Sequence, residues 1–147
     1  MTIATGSVAT STDQLQIHNA NGYLRLAAAA TLTLVSDGIT PTQNFNKVAT
    51  EGSASTDTCT TIAVTNATPG FVLVLVPATA AHTITFTDTA SPAAGTLSLN
   101  GDFVMTGSDA SLTLIYNGTN WVELSRTPTS DVGITQGKAI ALTLLFA

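Results

Sequence analysis

The sequence predicts an all-β fold, an antiparallel β-sandwich or barrel of jelly-roll type with about ten short strands. Three observations carry this expectation. About one residue in five is threonine, which suits a pleated, half-buried surface, whereas the helix formers Glu, Lys, Gln and Arg are scarce. Apolar residues recur with a period of two rather than 3.6. Gly, Pro, Asn or Asp interrupts the pattern at intervals of roughly ten residues. With 147 residues the chain is long enough for one core and needs no second.

Residues 1–22 are small and polar, without sustained period. They read either as an extended arm that gains structure against a neighbour, with Ile3, Val8, Leu15 and Ile17 as its contacts, or as a floppy tail. A β domain over residues 23–147 follows. The run YLRLAAAATLTLV (23–35) alternates at both ends and reads as two strands joined near Ala28 and Ala29. Ser36-Asp37-Gly38 is a turn signal, and FNKVAT (45–50) is a further strand. Ile62 and Val64 alternate with threonines across residues 60–65.

FVLVLV (71–76) is apolar on both faces and predicts a central strand covered on both sides. In HTITFTD (82–88), His82, Ile84 and Phe86 share one face. Leu97 and Leu99 mark a short strand, and residues 103–106 another. SLTLIYNGTNWVELSR (111–126) is the clearest unit, a hairpin with Leu112, Leu114 and Tyr116 on one face of its first arm and Val122 and Leu124 on one face of its second. Asn117-Gly118 forms either the two central residues of its turn or the opening of a four-residue loop. The sequence ends in AIALTLLF (139–146), whose Ile140, Leu142, Leu144 and Phe146 alternate. A strand as apolar as residues 139–147 has to be core or covered by another subunit, so these four are the expected oligomer interface.

Charge excludes some functions. Four basic residues (Arg25, Lys47, Arg126, Lys138) against nine acidic ones cannot make the phosphate-neutralising stripe that direct nucleic-acid binding needs. No apolar run is long enough to span a bilayer and no basic-then-apolar leader opens the sequence, so neither a membrane partner nor the usual secretion route is expected. Only 9% of residues are charged, with a formal net of −5. Hydroxyls replace charges on such a surface, and it tolerates being covered, which favours life in an assembly.

Residues that could carry chemistry are few. Cys59 is the only cysteine, which excludes an intrachain disulfide and a thiolate metal cage. His18 and His82 lack neighbours at metal-ligand spacing, and His82 reads as a strand-end residue with a satisfied hydrogen bond. The aspartates fall mostly at turns, where they serve the backbone, and no glycosidase pair is singled out. No nucleophile elbow, phosphate loop or dinucleotide fingerprint occurs. The sequence therefore predicts no enzyme, no cofactor and no metal. Tyr116 and Trp121 flank the hairpin turn and read as a cross-strand packing pair. The competing role for them, together with Tyr23, is stacking on a glycan.

Several landmarks, in order, carry a resemblance: LTLVSDGIT, VATEGSASTDT, FVLVLVPATAAHTITFTD, LNGDFVMTGSDASLTLIYNGTNWVELSR and GKAIALTLLF. Over residues 31–126 the sequence resembles a β-rich module of tailed-bacteriophage and prophage structural proteins. That resemblance implies a virion part. It occurs both in small head proteins and in larger tail-fibre or host-attachment chains. A single module with about thirty residues before it and about twenty after it leaves no room for a shaft, which favours a capsid decoration (cement) protein. Such a protein is made in the host cytoplasm and binds the exterior of the head. The expected partners are the major capsid protein and the chain itself, as a homotrimer. The alternative is a tail-fibre or head-fibre module for glycan attachment.

Overall fold

A computed structural model describes residues 28–127. The arm at 1–22, Tyr23 and the strand at 139–147 lie outside the described residues. Eleven strands are present: β1 (Ala30–Thr33), β2 (Gly38–Ile39), β3 (Phe45–Ala49), β4 (Thr56–Cys59), β5 (Thr61–Ile62), β6 (Val72–Pro77), β7 (Thr83–Phe86), β8 (Leu97–Ser98), β9 (Phe103–Met105), β10 (Ser111–Tyr116) and β11 (Trp121–Thr127). The all-β expectation holds, the only helical element among the described residues being a 3-10 turn at Glu51–Ser53.

The strands form a six-stranded sheet in the order β1-β3-β6-β10-β11-β8, a pair β2-β5 and a three-stranded sheet β4-β7-β9. The antiparallel, jelly-roll expectation is corrected here. β1 on β3, β3 on β6, β2 on β5, β4 on β7 and β8 on β11 are all parallel; only β6-β10, β10-β11 and β7-β9 are antiparallel. Successive turns of the chain lay strands on one another in register, Ala30 on Asn46 and Asn46 on Leu75. The architecture is a solenoid-like stack rather than a sandwich or barrel. Beyond β6 the large sheet continues through the antiparallel strands β10 and β11 and ends on β8, which is parallel to β11. Short alternating strands with frequent turns suit both architectures, because alternation records which face is buried and says nothing of partner direction.

One core lies between the large sheet and the two small ones. Val48, Leu73, Leu75, Leu112 and Leu114 point in from one side, and Ile62, Cys59, Ile84, Phe86 and Met105 from the other. Trp121 ties the layers together: its Nε1 donates to the Ile62 carbonyl at 3.0 Å. Phe71 meets its ring edge-on at a centroid distance of 6.0 Å.

Two strand expectations change in detail. In the hairpin, the first arm buries Leu112, Leu114 and Tyr116 as expected, but the second buries Trp121 and Arg126 and leaves Leu124 54% exposed. Thr113 pairs with Ser125 and Leu114 with Glu123, so Leu124 is the extra residue of a bulge that resets the alternation. The loop is the four-residue alternative, since Tyr116 pairs with Trp121. The Asn117 Oδ1 accepts the amides of Thr119 and Asn120 inside it. In β6, Leu73 and Leu75 are buried, but Val72 is exposed and Val74 and Val76 are half-buried. The strand is central in its sheet, and the body covers one of its faces only.

Two turns show why particular residues occupy them. Val35 and Gly38 exchange backbone hydrogen bonds of 3.0 and 3.1 Å across Ser36 and Asp37, both of which have positive φ. That is the mirror-image turn a tight hairpin needs. Gly95 has a φ of +79°, and a Cβ there would lie 2.9 Å from the Ile62 carbonyl oxygen. Only glycine admits that approach.

Candidate functional site

Several carboxylates among the described residues are occupied in holding the fold. Asp57 accepts the amides of Glu51 at 2.6 Å and Thr58 at 2.8 Å. Asp88 accepts the Leu99 amide, Asp102 the Asp88 amide and Glu123 the Asn100 amide. Each carboxylate thus fastens a turn or a loop end, which is what the sequence suggested for aspartate. Arg126 is the focus of the densest group. Its Nε donates to the Glu123 Oε1 at 2.6 Å, and its other nitrogens reach the carbonyls of Gly101 and Asp102 and the second Glu123 oxygen. The guanidinium also lies 5.1 Å from the Phe103 ring centre.

This pairing holds the Glu123 carboxyl below its ordinary pKa, first through the hydrogen bond from Arg126, and raises that of Arg126 for the reciprocal reason. The bulge at Leu124 is what turns Arg126 inward, so sequence alternation alone misses it.

His82 sits at the start of β7, and its Nδ1 lies 2.9 Å from the Thr50 hydroxyl. That hydroxyl donates to the Ala54 carbonyl at 2.7 Å, which makes it the acceptor for a protonated Nδ1. Cys59 is fully buried, with its thiol pushed up to about 12 chiefly by burial. A thiol so far from ionisation is no nucleophile at neutral pH. No group of three metal-ligating side chains occurs among the described residues. No helix there is long and apolar enough to cross a membrane.

Tyr116 and Trp121 are 8% and 0% exposed, with ring centres 5.4 Å apart. Their enclosure is that of a packing pair and removes both rings from the glycan-stacking role, since a ligand needs a free ring face. Ile3, Val8, Leu15, Ile17, Tyr23, Ile140, Leu142, Leu144 and Phe146 lie outside the described residues and are not brought together with anything here.

What remains is surface. On the face of the six-stranded sheet turned away from the core, Val72 pairs with Ile115, Ile115 with Val122, and Phe45 with Val74. All are exposed or half-buried, and Val76 continues the row, so apolar side chains of four adjacent strands adjoin across this face. Lys47 is its one cation among the described residues. The opposite small sheet differs: Thr56 pairs with Thr83 and Thr58 with Thr85, giving a hydroxylated face. The apolar face is the candidate functional surface, because adjoining apolar side chains left exposed or half-buried on a folded domain mark a place of contact. The doubly apolar FVLVLV was its signal in the sequence.

Neither a comparison with protein-family models nor one with curated proteins finds a match.

Proposed function

We propose that this chain is a structural virion protein, a bacteriophage capsid decoration (cement) protein that self-associates through its six-stranded sheet and clamps neighbouring major capsid proteins. The observation that carries the reading is the apolar outer face of Phe45, Val72, Val74, Ile115 and Val122, which among the described residues is exposed at Val72 and half-buried at the other four. The resemblance of the landmark stretches to phage structural modules supplies the setting. Burial of this face in a homotrimer would give an apolar, weakly charged surface a partner. Several modest contacts per trimer then add through effective concentration, so no single strong site is required. The proposed capsid contacts are Ile3, Val8, Leu15 and Ile17 of the N-terminal arm.

Sedimentation velocity on the full chain tests the association. A trimer is expected for the natural sequence and a folded monomer for Val74→Glu combined with Ile115→Lys; a monomer in both sinks the sheet-face association. Ile3→Asp with Val8→Asp should leave the trimer intact and abolish co-sedimentation with undecorated shells.

The second reading, a fibre module for host attachment, is favoured by the parallel stacking of β1, β3 and β6, since stacked rungs extend naturally into a shaft. The burial of Tyr116 and Trp121 weighs against a glycan site at the hairpin.

A further inference from the structure

Among the described residues two asparagines precede a glycine, Asn100-Gly101 and Asn117-Gly118; Asn21-Gly22 lies outside them. The backbone nitrogen after an asparagine can attack its side-chain carbonyl carbon, and glycine has no side chain to obstruct the five-membered ring that forms. The other described asparagines, Asn44, Asn46, Asn66 and Asn120, precede Phe, Lys, Ala and Trp. Both Asn-Gly pairs are exposed, so exposure does not separate them. Hydrogen bonding and space do.

Asn117 is locked inside the hairpin loop. Its Oδ1 accepts the amides of Thr119 at 2.8 Å and Asn120 at 3.0 Å, and its Nδ2 donates to the Asn120 Oδ1 at 2.9 Å. The ring of Pro69 lies against Gly118, 3.4 Å from where a Cβ would stand. Asn117 has to give up these bonds before it can react. Asn100 differs on each count. Among the described residues neither its side chain nor the Gly101 nitrogen makes a hydrogen bond, and a Cβ on Gly101 would meet nothing within 4 Å. The loop is fastened on either side of these free atoms. The Asn100 amide donates to the Glu123 Oε2 at 2.8 Å, and the Gly101 carbonyl accepts the Arg126 Nη2 at 2.9 Å. Arg126 is itself bound to Glu123 and to the Asp102 carbonyl. One Glu-Arg pair thus grips the chain before and after the linkage that would rearrange.

We propose that Asn100 is a site of spontaneous modification, where the protein ages by conversion of this residue to aspartate and isoaspartate, and that the isoaspartyl product loosens the Arg126 anchor. The Gly101 nitrogen loses its proton and bonds to the Asn100 Cγ; the Cγ–Nδ2 bond breaks, and the side-chain nitrogen takes up a proton and leaves as ammonia. Water then opens the cyclic imide, at Cγ to give aspartate or at the main-chain carbonyl carbon to give isoaspartate. Nothing is oxidised or reduced. Isoaspartate puts an extra backbone atom between the Asn100 nitrogen and the Gly101 carbonyl, so the contacts to Glu123 and Arg126 cannot both keep their present geometry. Either product also adds a carboxylate to a loop already held by Asp88, Asp102 and Glu123. The chemistry needs no partner and is independent of what the protein binds.

Incubation of the full chain in heavy-oxygen water at mildly alkaline pH, followed by mass spectrometry of chymotryptic peptides, tests the site. Label should enter residue 100 at least about tenfold faster than residue 117, whose two amide bonds must break first. In guanidinium chloride the two residues should react at similar rates. Equal rates in the folded chain, an unreactive residue 100, or the same preference in the unfolded chain overturns the proposal. Residue 21 is read in its own peptide. The anchor is tested in a chain carrying Asn21→Ser: the acidic fraction that accumulates should unfold at a lower urea concentration than fresh protein, and adding Asn100→Ser should prevent its formation. An aged fraction as stable as fresh protein, or one that still forms with Asn100→Ser, would overturn the link between this site and the Arg126 anchor.

Discussion

Replacing Trp121 with phenylalanine measures how far this residue belongs to the core. The ring is fully buried, its Nε1 donates at 3.0 Å to the Ile62 carbonyl, and Phe71 and Tyr116 pack on it at centroid distances of 6.0 and 5.4 Å. Phenylalanine keeps one ring and loses the donor. Orphaning the buried Ile62 carbonyl costs about 1–3 kcal/mol. The space left by the smaller ring, on the order of 40 Å³, adds about 1 kcal/mol at roughly 24 cal/mol per Å³. Together these two effects set the expected loss at about 2–4 kcal/mol. With a urea m-value of about 2 kcal/mol/M for a domain of this size, the midpoint falls by roughly 1–2 M.

Far-ultraviolet circular dichroism is the proper signal, since the substitution removes the only tryptophan. The comparison is Leu124→Ser at the exposed bulge, expected to change stability by less than about 0.5 kcal/mol. A Trp121→Phe midpoint no lower than that of Leu124→Ser would refute the claim that this indole clamps the two layers. It would also return the ring to the pool of ligand-binding candidates.

Three further outcomes are expected. Gly95→Ala places a Cβ 2.9 Å from the Ile62 oxygen at a positive φ, whereas Gly101→Ala has the same φ handicap with open space around it; thermal unfolding should show Gly101→Ala costing about 1–2 kcal/mol and Gly95→Ala distinctly more. Ser36→Asn with Asp37→Gly fits the two positive-φ positions of the first turn and should raise stability by about 1 kcal/mol in urea titration. Glu123 has a folded-state pKa below its unfolded value, so the stability it lends is complete above the unfolded pKa and lost as pH falls through the folded one. Glu123→Gln should therefore be less stable than the natural chain at neutral pH, with the difference narrowing on acidification below the ordinary carboxylate range. An unchanged gap at low pH would contradict the Arg126 pairing.

The sequence revealed faces better than partners. Period-two alternation correctly marked Ile84 and Phe86, and Leu112, Leu114 and Tyr116, as sharing an inward face, because burial is written in single residues. Strand direction is not: Ala30 on Asn46 and Asp57 on Ile84 are parallel pairings between chain segments many residues apart, and nothing in either strand encodes the hand of the connection. The inward turn of Arg126 was illegible for a sharper reason, since one bulge residue inverts the pattern after it. The apolar outer face was half-legible. FVLVLV signalled cover on both sides, and the body supplies only one of them. The resulting surplus is what points to association.

The most direct measurement is electron microscopy of purified virions with this chain located in the map. Trimeric knobs repeated across the shell, with the β6 and β10 faces turned towards one another inside each knob, are the predicted result. Density confined to the tail or to a single vertex would contradict the decoration reading and favour host attachment in its place.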